Sequence, residues 1–444
     1  MQKLSISSHQ RGFIKEDGTP FFWLGDTAWE LFHKLTMEEA EHYLRTRATQ
    51  GFTVVQVAAL AELDGIKEPN AYGKIPLERT DAGVYDPAQP LTEEGSYDYW
   101  KHVDAIIQYA AVCGIYMALL PTWGDKYNLL WGKGPVIFNE ENARAYGEWL
   151  GRRYGSYTNI VWVLGGDRPL TEYAHFAVNR SLSSGLRRGG AEQLMTFHPM
   201  GGQSSSLHVH HEAWLDFNMI QSGHSDSTQR NYEKVAADYA RTPIKPVLDA
   251  EPCYEDHPIG FKPENGYFDQ ADMRKAAYYS LLSGACGHTY GHHSVWCMSR
   301  GAFASLECKE PGGYLLSSWQ EALHRPGAAQ MQYVRALFEP VSAEGLIPDA
   351  SLLAANYEGA NYIAAARNKR SAYYYTPNGL PLHVNPGALP GDVMTASWYN
   401  PRSGVWLKAI ERLTGEPQWF TPPSSGRGED WVLLVDTEQP VLNP

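Results

Sequence analysis

Two carboxylates end apolar runs that open into loops. Asp167 closes the run Asn159-Ile-Val-Trp-Val-Leu-Gly-Gly-Asp167, and Glu251 closes Lys245-Pro-Val-Leu-Asp-Ala-Glu251 just before Pro252. A carboxylate pair facing across a pocket can cleave a glycosidic bond. One group protonates the leaving oxygen, while the other attacks the anomeric carbon or activates water. Either carboxylate alone reads equally well as a helix N-cap or a salt-bridge partner at a strand end. Their pairing at the ends of two such runs is what points to catalysis. Asp249 competes with Glu251. Period-two alternation puts both on one strand face with Ala250 pointing away, and Glu251 lies farther toward the strand end. Asp249 is then a group that orients a neighbour.

These residues need elements to carry them. Eight short apolar segments read as strands: Phe21–Leu24, Thr53–Ala58, Tyr116–Leu120, Ile160–Leu164, Leu194–Phe197, Phe217–Ile220, Pro246–Leu248 and His288–Tyr290. Amphipathic stretches separate most of them. Thr36 with Glu39 forms a capping box. Trp100, Val103, Ile106, Ile107 and Ala110 share one helical face. Asn139 is an N-cap for Ala143–Tyr154, and Thr228–Ala240, Asp269–Ser283 and Gln320–Leu337 supply further helices. The alternation predicts an α/β fold, a (β/α)8 TIM barrel over residues 1–340. A doubly wound sheet would usually carry a glycine-rich phosphate loop after its first strand, and Leu24-Gly25-Asp26-Thr27 is not one. The fifth connection, Gly201–Asp216, leaves room for only a short helix. Residues 341–444 lose the helical period. There Asn361–Arg367, Ser371–Tyr375, Val393–Tyr399, Gly404–Lys408, Gln418–Phe420 and Trp431–Val435 predict a small antiparallel β-sandwich. Arg11–Lys15, with a turn at Glu16-Asp17-Gly18, predicts a hairpin leading into the first barrel strand.

In such a barrel the reactive groups sit at the C-terminal ends of the strands. Reading those positions gives, as substrate-binding candidates, Asp26 and Trp29, Gln56, Trp123 and Asp125, His198, Gln221, and Tyr290, His292 and Trp296. His224 and His293 lie on the same rim. Such a mixture of carboxylates, amides, imidazoles and indoles suits a sugar, whose hydroxyls need polar partners and whose C–H faces pack on aromatic rings. Trp123, Trp131 and Trp296 are candidate platforms, whereas Trp149, Trp162 and Trp214 read as core. The C-terminal Tyr373–Tyr375, Trp398 and Trp406 read as sandwich core before carbohydrate contacts. His208-Val-His210-His211 and His288-Thr-Tyr-Gly-His292-His293 resemble metal ligands, which keeps a metal-dependent barrel hydrolase as an alternative. Substrate or loop hydrogen bonds account for them more simply, and the two-carboxylate chemistry needs no metal and no organic cofactor. Cys253 has no His/Asn arrangement around it in sequence and reads as a buried thiol.

Composition narrows the partners. The 444 residues are 43% hydrophobic, 12% aromatic and 20% charged, which is globular. A net charge of −13 disfavours nucleic acid and anionic membrane surfaces. The longest apolar stretch, Ala110–Pro121, is too short to span a bilayer. Five cysteines with no C-x-x-C pair indicate neither a disulfide framework nor a zinc ribbon. Met1-Gln-Lys-Leu-Ser-Ile-Ser7 lacks the apolar core of a signal peptide, so a cytoplasmic enzyme is expected. A carbohydrate-binding protein on an inactive barrel is a second alternative, although such a protein has no need of both carboxylates.

Several motifs resemble the apiosidase-like glycoside hydrolases of family 140. They are Phe22-Trp-Leu-Gly-Asp-Thr-Ala-Trp29, Val161-Trp-Val-Leu-Gly-Gly-Asp167, Phe197-His-Pro199 and Gly284-Ala-Cys-Gly-His-Thr-Tyr-Gly291. Trp398-Tyr-Asn-Pro-Arg-Ser-Gly404 resembles the C-terminal β-sandwich of that family, once labelled collagen-binding. The resemblance implies a (β/α)8 barrel joined to a small sandwich. It also implies an Asp after strand four as acid/base, matching Asp167, a Glu after strand seven as nucleophile, matching Glu251, and exo-removal of β-linked apiose from pectic side chains. Related barrels are retaining and usually carry an Asn-Glu pair at strand four; here Gly166-Asp167 stands in that place.

Overall fold

The computed structural model describes residues 1–301, 314–389, 394–413 and 415–437, the side chains of 410–412 excepted. Cys308 and the expected strand start at Val393 lie outside them. Eight parallel strands form the barrel: Trp23–Thr27, Val54–Ala58, Tyr116–Leu120, Ile160–Gly165, Met195–His198, Asn218–Ile220, Val247–Asp249 and Gly287–Tyr290. Numbered along the chain, they stand in the order 5-4-3-2-1-8-7-6. Strands five and six meet at the seam through a few bonds: Thr196 Oγ1 donates to Phe217 O (2.7 Å), Met195 N donates to Asp216 Oδ2 (2.7 Å), and Asp216 N donates to Met195 O (2.8 Å).

Each strand alternates between two apolar environments. Trp23, Val54, Ala118, Val161, Val163, Phe217, Met219 and Leu248 fill the barrel interior. Val55, Val57, Met117, Leu119, Trp162 and Phe197 face the helices outside. Being buried on both sides is why these segments read as continuous apolar runs. The helices begin where their caps direct. Thr36 and Glu39 close a capping box on Met37–Thr49, and Asn139 caps Glu140–Tyr154. The fifth connection carries a four-residue helix, Ser206–Val209. The stretch expected as one helix over Gln320–Leu337 is two, Trp319–Ala322 and Pro326–Phe338, because Pro326 starts a new first turn. Tyr173–Arg188, after strand four, was not expected as a helix from its pattern; polar residues such as Ser181 and Ser183 face inward there.

The N-terminal segment adds a strand to the expected hairpin. Leu4–Ile6, Phe13–Lys15 and Pro20–Phe21 form a three-stranded antiparallel sheet, with Phe13 packed against Trp23 and Phe217 in the barrel interior. The C-terminal unit is a sandwich of a six-stranded sheet and a three-stranded sheet. In Ser371–Thr376 every residue is buried. Tyr374 enters the sandwich core, while Tyr373 and Tyr375 pack on the helix between strands seven and eight, Gln270–Leu282, and its surroundings. Tyr375 stacks on Tyr278 at 4.8 Å. Beside it Arg274 forms a buried ion pair with Asp430 (2.7 Å), so the sandwich is packed against the barrel by both apolar and charged contacts. No helix among the described residues is long and apolar enough to cross a membrane.

Candidate active site

A cavity of about 910 Å³ opens at the C-terminal mouth of the barrel and contains both Asp167 and Glu251. Strand four delivers Asp167 through three successive residues of positive φ: Gly165 (92°), Gly166 (105°) and Asp167 itself (55°). A Cβ on Gly165 would meet His198 O at 2.3 Å, and one on Gly166 would meet Gly124 N at 2.6 Å, so only glycine fits at either position. Aspartate is among the few side-chain-bearing residues that tolerate the left-handed region. The tight turn brings the Asp167 carboxylate over the mouth. Its Oδ2 accepts from Arg168 Nη1 (3.2 Å) and Trp131 Nε1 (3.3 Å), and its Oδ1 accepts from Gly201 N (3.3 Å).

Glu251 is aimed by a different device. The seventh strand ends at Asp249, and both Ala250 N (2.8 Å) and Glu251 N (3.2 Å) then donate to Ile220 O. Two residues opposing one is the signature of a bulge, which interrupts alternation. Leu248 and Ala250 face the interior. Asp249 faces the helices, where it accepts from Ser222 Oγ (2.8 Å) and Asn231 Nδ2 (2.9 Å). The expectation that Asp249 and Glu251 share a face, with Ala250 turned away, is therefore corrected. The bulge turns Glu251 into the mouth, and Asp249 ties the strand to the helix layer.

Once there, Glu251 is 5% exposed and surrounded by donors. Gln221 Nε2 donates to Oε1 (3.0 Å), and His224 Nε2 lies 3.3 Å from the same oxygen. His198 Nε2 is 2.8 Å from Oε2. His198 Nδ1 accepts the Asp167 amide (3.3 Å), which leaves its ring proton on Nε2, facing Glu251. The 2.8 Å approach sets that N–H against a carboxylate oxygen, and neither atom has another partner. One imidazole thus touches the Asp167 backbone on one side and the Glu251 carboxylate on the other. Trp29 and Trp123 wall it in, with ring centroids 5.2 and 5.8 Å from it.

Environment drives the two acids in opposite directions. Burial raises the Asp167 carboxyl and the negative charge of Glu251 raises it further, against the lowering effect of Arg168 and His198. Burial would also raise Glu251, but His198 and His224 outweigh it and hold that carboxyl at about 2. A carboxyl biased toward its protonated form facing an ionised one is the division that acid-assisted displacement requires. Tyr254 also lines the cavity; burial and then the nearby Glu251 charge push its phenol well up, so it remains a neutral hydroxyl.

Of the other expected contacts, Trp29, Trp123, Gln221 and Trp296 line the cavity, as do the rim residues His224 and His293 and the platform candidate Trp131. His198 lies just behind the wall, fully buried. Five do not reach it. Asp26 is an outward residue of strand one, and its Oδ2 accepts from Arg47 Nε (2.6 Å) and Tyr43 OH (2.5 Å) on the neighbouring helix. Tyr290 is likewise outward and donates to Glu255 Oε2 (2.6 Å). His292 caps the short helix His293–Trp296 and contacts Asp256 (3.2 Å). Asp125 pairs with Lys126 (2.7 Å) and accepts from Gly134 N (2.8 Å), fixing the loop that presents Trp131. Gln56 points inward but lies below the cavity, where its Nε2 donates to Ala250 O (2.9 Å).

Gln56 therefore holds the carbonyl of the bulge residue preceding the Glu251 carboxylate. Gln56→Leu removes that donor, and we expect kcat to fall by about 10- to 100-fold with little change in KM. A rise in KM with unchanged kcat would instead mark Gln56 as a sugar contact.

Several lining residues were not singled out from the sequence. Glu62 and Leu63 come from the loop after strand two, and Tyr254, His257 and Phe261 from the segment after strand seven. His257 stacks on His224 at 4.3 Å; burial, then His224 and His293, keep its imidazole neutral. The other histidine motif is dispersed: His208 contacts Gln203, and His210 contacts Asn218 and Pro243 O. Among the described residues no group of three or more His, Cys, Asp or Glu is arranged to hold a metal ion. Cys253 is fully buried, and burial pushes its thiol well up. Trp162 is core, and Trp149 and Trp214 pack against that core.

A (β/α)8 barrel with a sugar-sized mouth and paired carboxylates is the architecture of a glycoside hydrolase. Sequence and structure comparisons identify the group. The profile "Apiosidase-like, catalytic domain" matches residues 7–343, and this chain belongs to that family. The profile "Putative collagen-binding domain of a collagenase" matches residues 347–436. A solved structure described as a glycoside hydrolase is 30% identical, with a TM-score of 0.87, covering 99% of this chain and 98% of its own. A glycoside hydrolase family 5 structure from Bacteroides vulgatus is also 30% identical, with a TM-score of 0.86, covering 100% of this chain and 95% of its own. A family 27 β-L-arabinopyranosidase from Geobacillus stearothermophilus shares the fold at 9% identity, with a TM-score of 0.53 over 95% of this chain and 97% of its own. No protein of curated function matches the sequence.

Proposed function

We propose that this glycoside hydrolase is a retaining, exo-acting β-apiosidase that releases terminal apiose from a plant glycoside or pectic side chain. The observation that carries the catalytic reading is the Asp167–Glu251 pair in one cavity, the first held toward its protonated form and the second held ionised. In the first step a Glu251 carboxylate oxygen bonds to the anomeric carbon as its bond to the leaving oxygen breaks. Asp167 gives that oxygen its proton, so the aglycone leaves as a neutral alcohol. In the second step the Asp167 carboxylate takes a proton from water, the water oxygen bonds to the anomeric carbon, and Glu251 departs as the carboxylate. Oδ1 of Asp167 accepts from Gly201 N, whereas Oδ2 already accepts from Arg168 and Trp131, so Oδ1 is the oxygen with more room to carry the proton.

The specificity rests on membership of the apiosidase-like family, and another exo-glycosidase specificity would use the same two carboxylates. The test is hydrolysis of an apiosyl glycoside beside a panel of aryl glycosides, with and without chelator, by wild type and Asp167→Asn. Release of apiose by the wild type, indifferent to chelator, is expected. Asp167→Asn should lose about 10²- to 10⁴-fold in kcat/KM on sugar leaving groups and far less in kcat/KM on aryl ones, whose departure needs no proton; kcat on the aryl ones falls as well, because the second step loses its base. Release of another sugar would move the specificity and keep the mechanism. Activity abolished by chelator would replace it with metal chemistry. Because Asp167 must be protonated, kcat/KM on a sugar leaving group should fall as pH rises through its raised pKa. Loss on the acidic side should wait until pH approaches the low pKa of Glu251.

A further inference from the structure

The wall of the cavity on the Asp167 side holds a third carboxyl group. Glu62 lines the cavity, is 7% exposed, and reaches the Arg168 guanidinium with Oε1 at 3.5 Å from Nη2. That guanidinium is fully buried and already committed: Nη1 donates to Asp167 Oδ2 and to Asp167 O (2.7 Å), and Nη2 donates to Trp131 O (2.7 Å). It also lies under the Trp131 ring, 4.2 Å from the centroid. Arg168 thus fixes three groups on one side of the mouth: the Asp167 carboxylate, the Trp131 indole and the Glu62 carboxyl. The opposite wall is that of Glu251, with Gln221, His224 and Tyr254.

The division of the cavity follows from the chemistry already assigned to it. The acid must touch the leaving oxygen, so the leaving group lies along the Asp167 wall, while the sugar that is transferred lies against Glu251. Trp131 is 37% exposed at that wall, with Arg168 under its ring and its Nε1 bound to Asp167. An indole so braced is a rigid surface for the C–H face of a sugar ring. Glu62 supplies the polar partner that a hydroxyl on such a ring needs. Burial, the largest cause, pushes its carboxyl up to about 8 against the pull of Arg168. It therefore keeps its proton at neutral pH and can donate as well as accept.

We propose that Glu62 and Trp131 form a leaving-group subsite built for a saccharide, Trp131 stacking on its ring and Glu62 hydrogen-bonding one of its hydroxyls. This inference rests on the glycosidase reading, with Asp167 as the acid. It makes the natural substrate a sugar-linked glycoside, not a glycoside of a small alcohol or a phenol.

The test compares kcat/KM on two glycosides of the sugar the wild type releases, one with a saccharide leaving group and one with 4-nitrophenol. For apiose these are apiosyl-(1→6)-glucose and 4-nitrophenyl β-apioside. Glu62→Ala and Trp131→Ala are each expected to lose at least tenfold more on the disaccharide than on the aryl glycoside. Glu62→Gln, which keeps a neutral group able to donate and accept, should recover most of the Glu62→Ala loss. It should also leave the alkaline limb of the disaccharide pH profile in place. Equal losses on both substrates in both alanine variants would overturn the inference while leaving the glycosidase reading intact. A limb displaced in Glu62→Gln would overturn it in another way, making Glu62 a positioning residue that acts through Asp167. Trp131 lies on an exposed loop, so its variant reports even if Glu62→Ala does not fold. A wild type inactive on every glycoside would defeat the reading beneath the inference, and the inference with it.

Discussion

Glu251→Gln is expected to lower kcat for glycoside hydrolysis by roughly 10⁴-fold or more, the scale on which enzymes lose activity with a covalent nucleophile. The substitution is nearly isosteric and keeps an oxygen for Gln221 Nε2 and His224 Nε2, so the loss should arise in the chemistry with the fold preserved. It should be as severe for aryl as for sugar leaving groups, because attack on the anomeric carbon is needed in either case. That uniformity separates it from Asp167→Asn, whose defect depends on the leaving group. Adding azide to Glu251→Ala should restore turnover of an aryl glycoside and yield a glycosyl azide of inverted configuration, since a small anion enters on the face the carboxylate has vacated. Steady-state rates and the anomeric configuration of the product provide the check. Activity within tenfold of wild type in Glu251→Gln would remove Glu251 from the mechanism.

The second large effect falls on stability. Asp26→Ala is expected to cost about 3–5 kcal/mol, because it strands a fully buried guanidinium. Arg47 Nε is bound to Asp26 Oδ2 at 2.6 Å with both side chains inaccessible to solvent, and Tyr43 OH loses its acceptor in the same change. Total stability of folded proteins is about 5–15 kcal/mol, and for a chain of this size the midpoint of unfolding should fall by about 3–7 °C. Any activity of the folded fraction should retain the wild-type KM. An unchanged melting midpoint with a raised KM would return Asp26 to the role of sugar ligand first expected of it.

The contrast between these two carboxylates shows what was legible in the sequence. The barrel was legible because each strand is buried on both faces and carries an unbroken apolar run, while capping residues such as Thr36 and Asn139 mark where helices begin. The run into Gly165-Gly166-Asp167 announced a sharp turn at a strand end, and the cavity brings Asp167 and Glu251 together there. Asp26 and Tyr290 could have been separated from the site by parity alone. With Trp23 inside the barrel, Leu24 and Asp26 must face out, and strand eight runs beside strand one in matching register, Tyr290 opposite Asp26. The aim of Glu251 was not legible in this way. Strict alternation would send it outward with Asp249, and only the doubled pairing at Ile220 turns it into the mouth. No residue type marks that bulge. Glu62 was hidden for a related reason. It lies in a loop without period, and its significance comes from Arg168, which is distant in sequence and meets it on the same wall of the mouth.

The reaction itself is tested most directly by trapping its intermediate. Asp167→Ala mixed with 4-nitrophenyl β-apioside should release nitrophenol in a burst and then stall, because the step that needs a base is lost. Intact-protein mass spectrometry should show one added apiosyl unit, and digestion should locate it on Glu251. Steady release of nitrophenol with no adduct, and with product of inverted configuration, would contradict the account.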